Sequence, residues 1–281
     1  MEAGRRDQLR CRGPFQSHPV PPKAAAMTKL STHLVEKPWG RETLPPPFDS
    51  GGRKVGEVWF EHPQGRALPL LAKYIFTSEA LSVQVHPDDE AARARGLARG
   101  KSECWYILDA EPDARLALGL EREVGVEALR QAALDGSVEA LLDWRPVKRG
   151  DLFYVPAVTI HAIGAGISLL EFQQNADVTY RLYDYGRPRE LHLDDALAVA
   201  RRGPAAAFKA RGDILVDGPH FSLVRQGAAA RLEDRLRWVL PLSGSVRAGG
   251  EVAEAGECLL VEPGVPAAFD GEALVGAEGG I

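Results

Sequence analysis

The chain has 281 residues, 45% of them hydrophobic and 26% charged, with a formal net charge of −5. That is ample apolar material for one large domain or a main domain with a smaller companion, and the acidic balance argues against a nucleic-acid or membrane surface, so an anionic ligand must be held by a local basic pocket. The cysteines Cys11, Cys104 and Cys258 are scattered and form no CxxC pair, which points to a reducing compartment. No apolar run has membrane length, and the expected location is the cytoplasm.

Residues 1–26 carry Arg5, Arg6, Arg10 and Arg12 with several prolines and no apolar periodicity, and read as a disordered leader without a secretory h-region. Met27 offers an alternative start. Ordered sequence is expected from near Leu34. Residues 55–60 read as a strand, and residues 70–76 and 80–85 as two more at hairpin spacing. In the last of these, Leu81, Val83 and Val85 alternate with Ser82, Gln84 and His86, so the three polar side chains share one face. Pro87-Asp88-Asp89 then predicts a helix start, and Gly96 and Gly100 its end. Residues 103–108 and 114–118 form a strand, turn and strand. Helical spacing of Val126, Leu129, Ala133 and of Val138, Leu141, Leu142 predicts a helical insertion near 121–145, broken at Asp135-Gly136-Ser137. Strands follow at 151–155, 159–163, 167–173 and 178–183, and residues 193–200 read as a closing helix. Residues 203–281 are β-rich with glycine turns.

Many short strands and few helices predict a mostly β fold, a jelly-roll or barrel. Gly150-Asp151, Pro156 and His161 bring a glycine turn into a strand, mark its edge with proline, and point a histidine inward from the next strand. Gly256-Glu257, Pro263 and Phe269 repeat that outline without the histidine. Two barrel-like modules are therefore expected: a catalytic one over 27–202, and a short, degenerate one over 203–281 without metal ligands.

Gln84, His86, Glu103 and His161 are the candidate metal ligands. Two imidazoles, a carboxylate and an amide carbonyl without thiolates suit a catalytic zinc better than a structural one. Each residue also has an ordinary reading. An inward histidine is most often a satisfied core or surface group, and His62, His192 and His220 are assigned no role; Glu103 reads equally as a solvated edge residue and Gln84 as a loop cap. Lys73, Lys101 and Arg181 read either as solvated side chains or as a phosphate or oxyanion clamp in the barrel mouth.

Residues 81–90 (LSVQVHPDDE), 100–106 (GKSECWY), 158–164 (VTIHAIG) and 170–181 (LEFQQNADVTYR) resemble, in order and spacing, the metal-site blocks of the class I mannose-6-phosphate isomerases. The resemblance runs from about Glu36 to Ala200 and is greatest to the short bacterial form, including the run from Tyr180 to Tyr185. It implies a zinc-dependent cupin, a double-stranded β-helix, with one Zn2+ per chain held by Gln84, His86, Glu103 and His161. It places Arg181, Lys101, Asp177 and Glu171 at active-site positions and Ser82 and Lys73 at substrate-phosphate contacts. The reaction implied is interconversion of mannose 6-phosphate and fructose 6-phosphate through a metal-stabilised cis-enediol, in a monomer or homodimer whose partner is a small sugar phosphate. Two departures stand out: the C-terminal module is short, and Gly100 precedes Lys101 where longer relatives can carry a histidine. The rival readings are a metal-containing cupin that binds or senses sugars without turnover, and a cupin dioxygenase. The latter generally uses a His-rich iron-type set and does not need Lys73, Lys101 and Arg181 together.

Overall fold

β-branched and aromatic runs bounded by glycine and proline turns form twenty strands in residues 27–281, the part of the chain described by this computed structural model. The leader at residues 1–26 lies outside the described residues. The first twelve strands are β1 (Met27–Lys29), β2 (Ser31–Arg41), β3 (Val55–Glu61), β4 (Leu70–Phe76), β5 (Val83–Val85), β6 (Glu103–Ala110), β7 (Arg115–Leu120), β8 (Leu142–Pro146), β9 (Leu152–Val155), β10 (His161–Ile163), β11 (Ile167–Gln174) and β12 (Tyr180–Tyr183). Three helices accompany them: α1 (Asp89–Ala94), α2 (Val126–Asp135) and α3 (Leu193–Val199). The remaining strands are β13 (Ile214–Asp217), β14 (Phe221–Arg225), β15 (Arg237–Pro241), β16 (Ser245–Ala248), β17 (Glu251–Glu254), β18 (Leu259–Val261), β19 (Ala267–Asp270) and β20 (Ala273–Glu278).

Two antiparallel sheets build the first module, ordered β2-β3-β4-β11-β6-β9 and β12-β5-β10-β7-β8. From β4 to β12 the chain passes repeatedly from one sheet to the other, which is the winding of a cupin jelly roll. This corrects the hairpin reading of residues 70–85. β4 pairs with β3 and β11, whereas β5 lies in the opposite sheet between β12 and β10. β6 and β7 are divided in the same way. Period-two alternation reveals which side a strand buries, but the partner is chosen by long-range packing.

Three further strands escape the sequence pattern. Where the insertion near 121–145 is expected to continue as a second helix, only a 3-10 turn at Ser137–Leu141 forms, and the chain goes straight into β8, which pairs with β7. β2 is an edge strand, largely exposed over its first residues, so it lacks an apolar alternation; a register shift between Glu36 and Arg41 accommodates Pro38. β1 pairs with β18, placing Met27 opposite Val261. The first described strand therefore belongs to the sheet of the second module, β1-β18-β15-β20-β14-β13, beside a small sheet β17-β16-β19.

Each sheet face has a defined cover. Between the two sheets of the first module lies an apolar plug that includes Ile75, Leu81, Ile107, Leu116, Ile163 and Leu169. Helices α2 and α3 cover the outer face of the five-stranded sheet, packing Leu129, Ala133 and Leu197 on Val83, Val85 and Leu182. The outer face of the six-stranded sheet meets the second module directly: Phe172 packs edge-on against Phe221, with ring centroids 5.4 Å apart, and against Trp238 at 6.0 Å. Gly276 makes that approach possible, because a Cβ there would lie 2.3 Å from Phe172 Cζ. Among the described residues no helix is long and apolar enough to cross a membrane.

Candidate active site

The inner face of the six-stranded sheet changes character along its strands. β4 presents Leu71, Lys73 and Ile75 inward, β6 presents Glu103, Trp105 and Ile107, and β11 presents Leu169, Glu171 and Gln173. Registration sets Glu171 opposite both Lys73 and Trp105, and Gln173 opposite both Leu71 and Glu103. From the facing sheet, Gln84 stands opposite His161 on one side and Arg181 on the other. The apolar plug thus gives way to a polar cavity lined by Ser82, Gln84, Lys101, Glu103, Glu171 and Arg181, among others.

At its floor, one ligand atom each from His86, Glu103 and His161 lies within 4.8 Å of the others, and all three residues are buried. The histidines are oriented from behind. His86 Nδ1 donates to the Val178 carbonyl at 2.7 Å and His161 Nδ1 to the Thr159 carbonyl at 2.9 Å. Both Nε2 atoms consequently carry lone pairs and face Glu103, each 3.4 Å from a carboxylate oxygen. Burial, assisted by the Lys101 charge, pulls the His86 pKa down to about 4, and burial likewise lowers that of His161, so both are neutral donors near neutral pH. Burial pushes the Glu103 carboxyl up, but the Lys101 ammonium overcomes it and holds the group well below the usual carboxylate range.

Two neutral imidazoles and a carboxylate on one point fit a divalent ion of the zinc type. Lys101 Nζ stands in for such a cation: it lies 3.1 Å from His86 Nε2, contacts Glu103 Oε2 and is 3.4 Å from Glu171 Oε1. Gln84 borders the same point with its amide turned, Nε2 being 3.2 Å from His161 Nε2 and Oε1 accepting from Ser82 Oγ at 2.9 Å. A half-turn of the terminal torsion exchanges the two atoms and presents the carbonyl oxygen.

The surrounding charges are closely balanced. Lys73 Nζ is 3.0 Å from Glu171 Oε1 and 3.8 Å from Glu57 Oε2, and lies over the Trp59 ring. Burial disfavours its charge, yet Glu171 and Glu57 reverse the balance and hold its pKa above the ordinary lysine value. Glu57 also receives Trp59 Nε1 at 2.6 Å and faces Lys37 at 3.6 Å. Glu171 Oε2 accepts from Trp105 Nε1 at 3.0 Å. Arg181 differs from these lysines. It makes no ion pair among the described residues, its NH1 donates to the Glu190 carbonyl at 2.6 Å, and its Nε has no partner. The adjacent Arg189 and Arg187 instead share Asp184. Asp177 is exposed at the rim.

All ten residues singled out in the sequence line this cavity or its floor. Lys37, Glu57, Trp59 and Trp105 were missed. An inward Glu between apolar residues in Val55–Glu61, and Trp105 two residues beyond Glu103 on the same strand, were the available signals. Gly100 also has a reason: its backbone passes so close to α1 that a Cβ would lie 2.4 Å from Asp88 C. No side chain fits there, and Lys101 N donates to the Pro87 carbonyl at 3.0 Å, which anchors the lysine beside His86.

No family model matches the chain. Over 194 residues it is 40% identical to the mannose-6-phosphate isomerase of Streptococcus mutans, covering 62% of this chain and 61% of that protein. Over 161 residues it is 44% identical to mannose-6-phosphate isomerase ManA of Bacillus subtilis, covering 53% and 51%. The chain is similar to mannose-6-phosphate isomerases. The matches span only about half to three-fifths of these relatives' lengths. The solved mannose 6-phosphate isomerase of Bacillus subtilis superposes with a TM-score of 0.72 at 26% identity, covering 90% of this chain and 99% of that one. A zinc-bound holo mannose 6-phosphate isomerase shares the fold, with a TM-score of 0.66 at 16% identity over 91% of this chain and 100% of that one.

Proposed function

We propose that this chain is a zinc-dependent aldose–ketose isomerase that interconverts mannose 6-phosphate and fructose 6-phosphate through a cis-enediol. The observation that carries the reading is the convergence of two backbone-oriented imidazole Nε2 atoms on Glu103, with Lys101 among them. His86, Glu103 and His161, joined by Gln84 through its carbonyl, would hold one ion per chain. When bound, zinc supplies Lewis acidity to the oxygens on C1 and C2.

The protein's own groups supply the rest. Isomerisation removes a proton from C2 of the open-chain aldose and returns one to C1, so a group must hold a proton within reach of both carbons. Lys101, set between Glu103 and Glu171 in a dry site, is that group in this reading: as the neutral amine it takes the C2 proton, and as the ammonium so formed it returns one to C1. Glu171 fixes Lys101 and Lys73 together, and Trp105 fixes Glu171. Arg181 faces the cavity and makes no ion pair among the described residues, so its charge is available to an oxyanion developing on the sugar. Asp177, at the solvent edge, is assigned to ring opening. Ser82 and Lys73 are assigned to the phosphate, although Lys73 reaches it only while shared with Glu57 and Glu171.

Metal analysis tests the assignment. Purified protein is expected to hold about one zinc per chain, as a single four-ligand site requires, and His161→Ala to lose both zinc and turnover. Full zinc occupancy in His86→Ala and His161→Ala overturns the site.

A further inference from the structure

Gln173 plays no part in the account above, yet it stands on the cavity wall directly across the strand from Glu103. It is 1% exposed, a poor place for an unsatisfied amide. Its Nε2 donates to the Gln174 carbonyl at 2.8 Å and to the Ala176 carbonyl at 3.2 Å. These bonds settle the orientation of the amide, since the reverse would set its oxygen against two carbonyl oxygens. Oε1 is then left without a hydrogen-bond partner among the described residues. Charge does not explain it, because the nearby ammonium groups are engaged by Glu57, Glu103 and Glu171.

Oε1 is enclosed behind the cavity wall in this structure, and a neutral, oriented, unpaired acceptor there calls for a neutral donor that reaches it as the wall adjusts on binding. We infer that Gln173 Oε1 accepts a hydrogen bond from a non-reacting hydroxyl of the sugar, on C3 or C4, and so makes the site selective for a fully hydroxylated chain. The inference rests on the isomerase reading. Phosphate is excluded as the partner of Oε1, since a phosphate dianion offers only acceptors. Selectivity follows from the cost of leaving the acceptor unpaired: an analogue lacking that hydroxyl buries Oε1 with nothing to receive.

The test compares kcat/KM for mannose 6-phosphate with its 3-deoxy and 4-deoxy analogues, in wild type and in Gln173→Met, which keeps the side chain unbranched and of similar length. Wild type is expected to lose roughly 10- to 100-fold on one of the two analogues. Gln173→Met is expected to treat that analogue and the parent sugar within about threefold of each other, since the acceptor is gone. Gln173→Ala, which opens room for water at the Gln174 and Ala176 carbonyls, is measured alongside in case the methionine does not fold. If both variants keep the wild-type discrimination and differ only in melting temperature, Oε1 serves a structural water and the inference is wrong. Equal use of all three sugars by wild type also overturns it. A wild-type protein that neither binds nor converts mannose 6-phosphate fails differently: it removes the isomerase reading itself, and the inference with it.

Discussion

Replacing Glu171 by glutamine is the most demanding test of the charge arrangement. Glu171 is 2% exposed, and every group around it is a donor: Lys73 Nζ at 3.0 Å and Lys101 Nζ at 3.4 Å on Oε1, and Trp105 Nε1 at 3.0 Å on Oε2. A carboxylate satisfies all three. A carboxamide of the same shape does not, because whichever way it turns its NH2 meets either an ammonium or an indole N–H. The cavity's three lysines, Lys37, Lys73 and Lys101, are matched by Glu57, Glu103 and Glu171. Losing one carboxylate leaves an excess positive charge in a dry place, next to the cluster of His86, Glu103 and His161. Removing one partner of a buried pair typically costs about 3–5 kcal/mol. For a chain of this size that corresponds to a fall of roughly 6–20 °C in melting temperature, at about 2–4 °C per kcal/mol. Thermal unfolding monitored by circular dichroism reads it directly, and zinc titration is expected to show weaker binding in the same variant. A Glu171→Gln protein melting within about 2 °C of wild type would refute the reasoning, because it would mean that the two lysines do not depend on this carboxylate.

Other expectations follow from particular contacts. Lys73→Ala is expected mainly to raise KM and Arg181→Ala mainly to lower kcat, each by on the order of 30- to 1,000-fold, with zinc content unchanged; wild-type kcat in Arg181→Ala contradicts the division. Lys73→Ala also leaves Glu57 and Glu171 short of a cation, so its melting temperature falls while that of Arg181→Ala, which breaks no ion pair, holds. Gly276→Ala drives a methyl group into Phe172 at the junction of the modules and is expected to cost about 1–3 kcal/mol, visible as lowered stability in urea; an unchanged unfolding midpoint means that the modules are not packed through this ring. Cys104 and Cys258 are fully buried, and burial pushes both thiols up, so neither is expected to react with a thiol reagent at pH 7 until the protein unfolds. Peptide mapping that finds either one labelled in native protein contradicts their placement.

Much of this molecule was legible in its sequence, and the failures have a common cause. β4 was readable to its ends, and the alternation through residues 81–86 separated Val83 and Val85, which pack under the helices, from Ser82 and Gln84, which line the cavity, and His86 at its floor; it misplaced Leu81, which lies before β5 begins and packs in the plug between the sheets. The α1 start was legible because Asp88 caps it, accepting from Ala91 N at 2.8 Å. Pairing was not legible, since a strand's alternation is the same whether its partner is the next strand or one a hundred residues away. That is why residues 70–85 read as a hairpin, and why β1, which pairs with β18, had no signal at all. The site divides in the same way. Residues with distinctive chemistry at short spacing, His86, Lys101 and Glu103, stood out. Glu57, Lys37 and Trp59 come from strands whose approach to the cavity depends on the sheet order. Arg181 was legible as a cation, whereas its lack of a carboxylate partner is a property of the folded chain alone.

The central claim is that the cluster of His86, Glu103 and His161 serves a metal-dependent isomerisation. It is tested most directly by a coupled assay with mannose 6-phosphate on one preparation in three states: as purified, after exhaustive chelation, and after return of one equivalent of zinc. The account predicts turnover, its loss on chelation, and its recovery with zinc but not in His161→Ala. Turnover that persists in the fully chelated protein, or zinc-loaded protein that binds the sugar phosphate without converting it, would contradict the account.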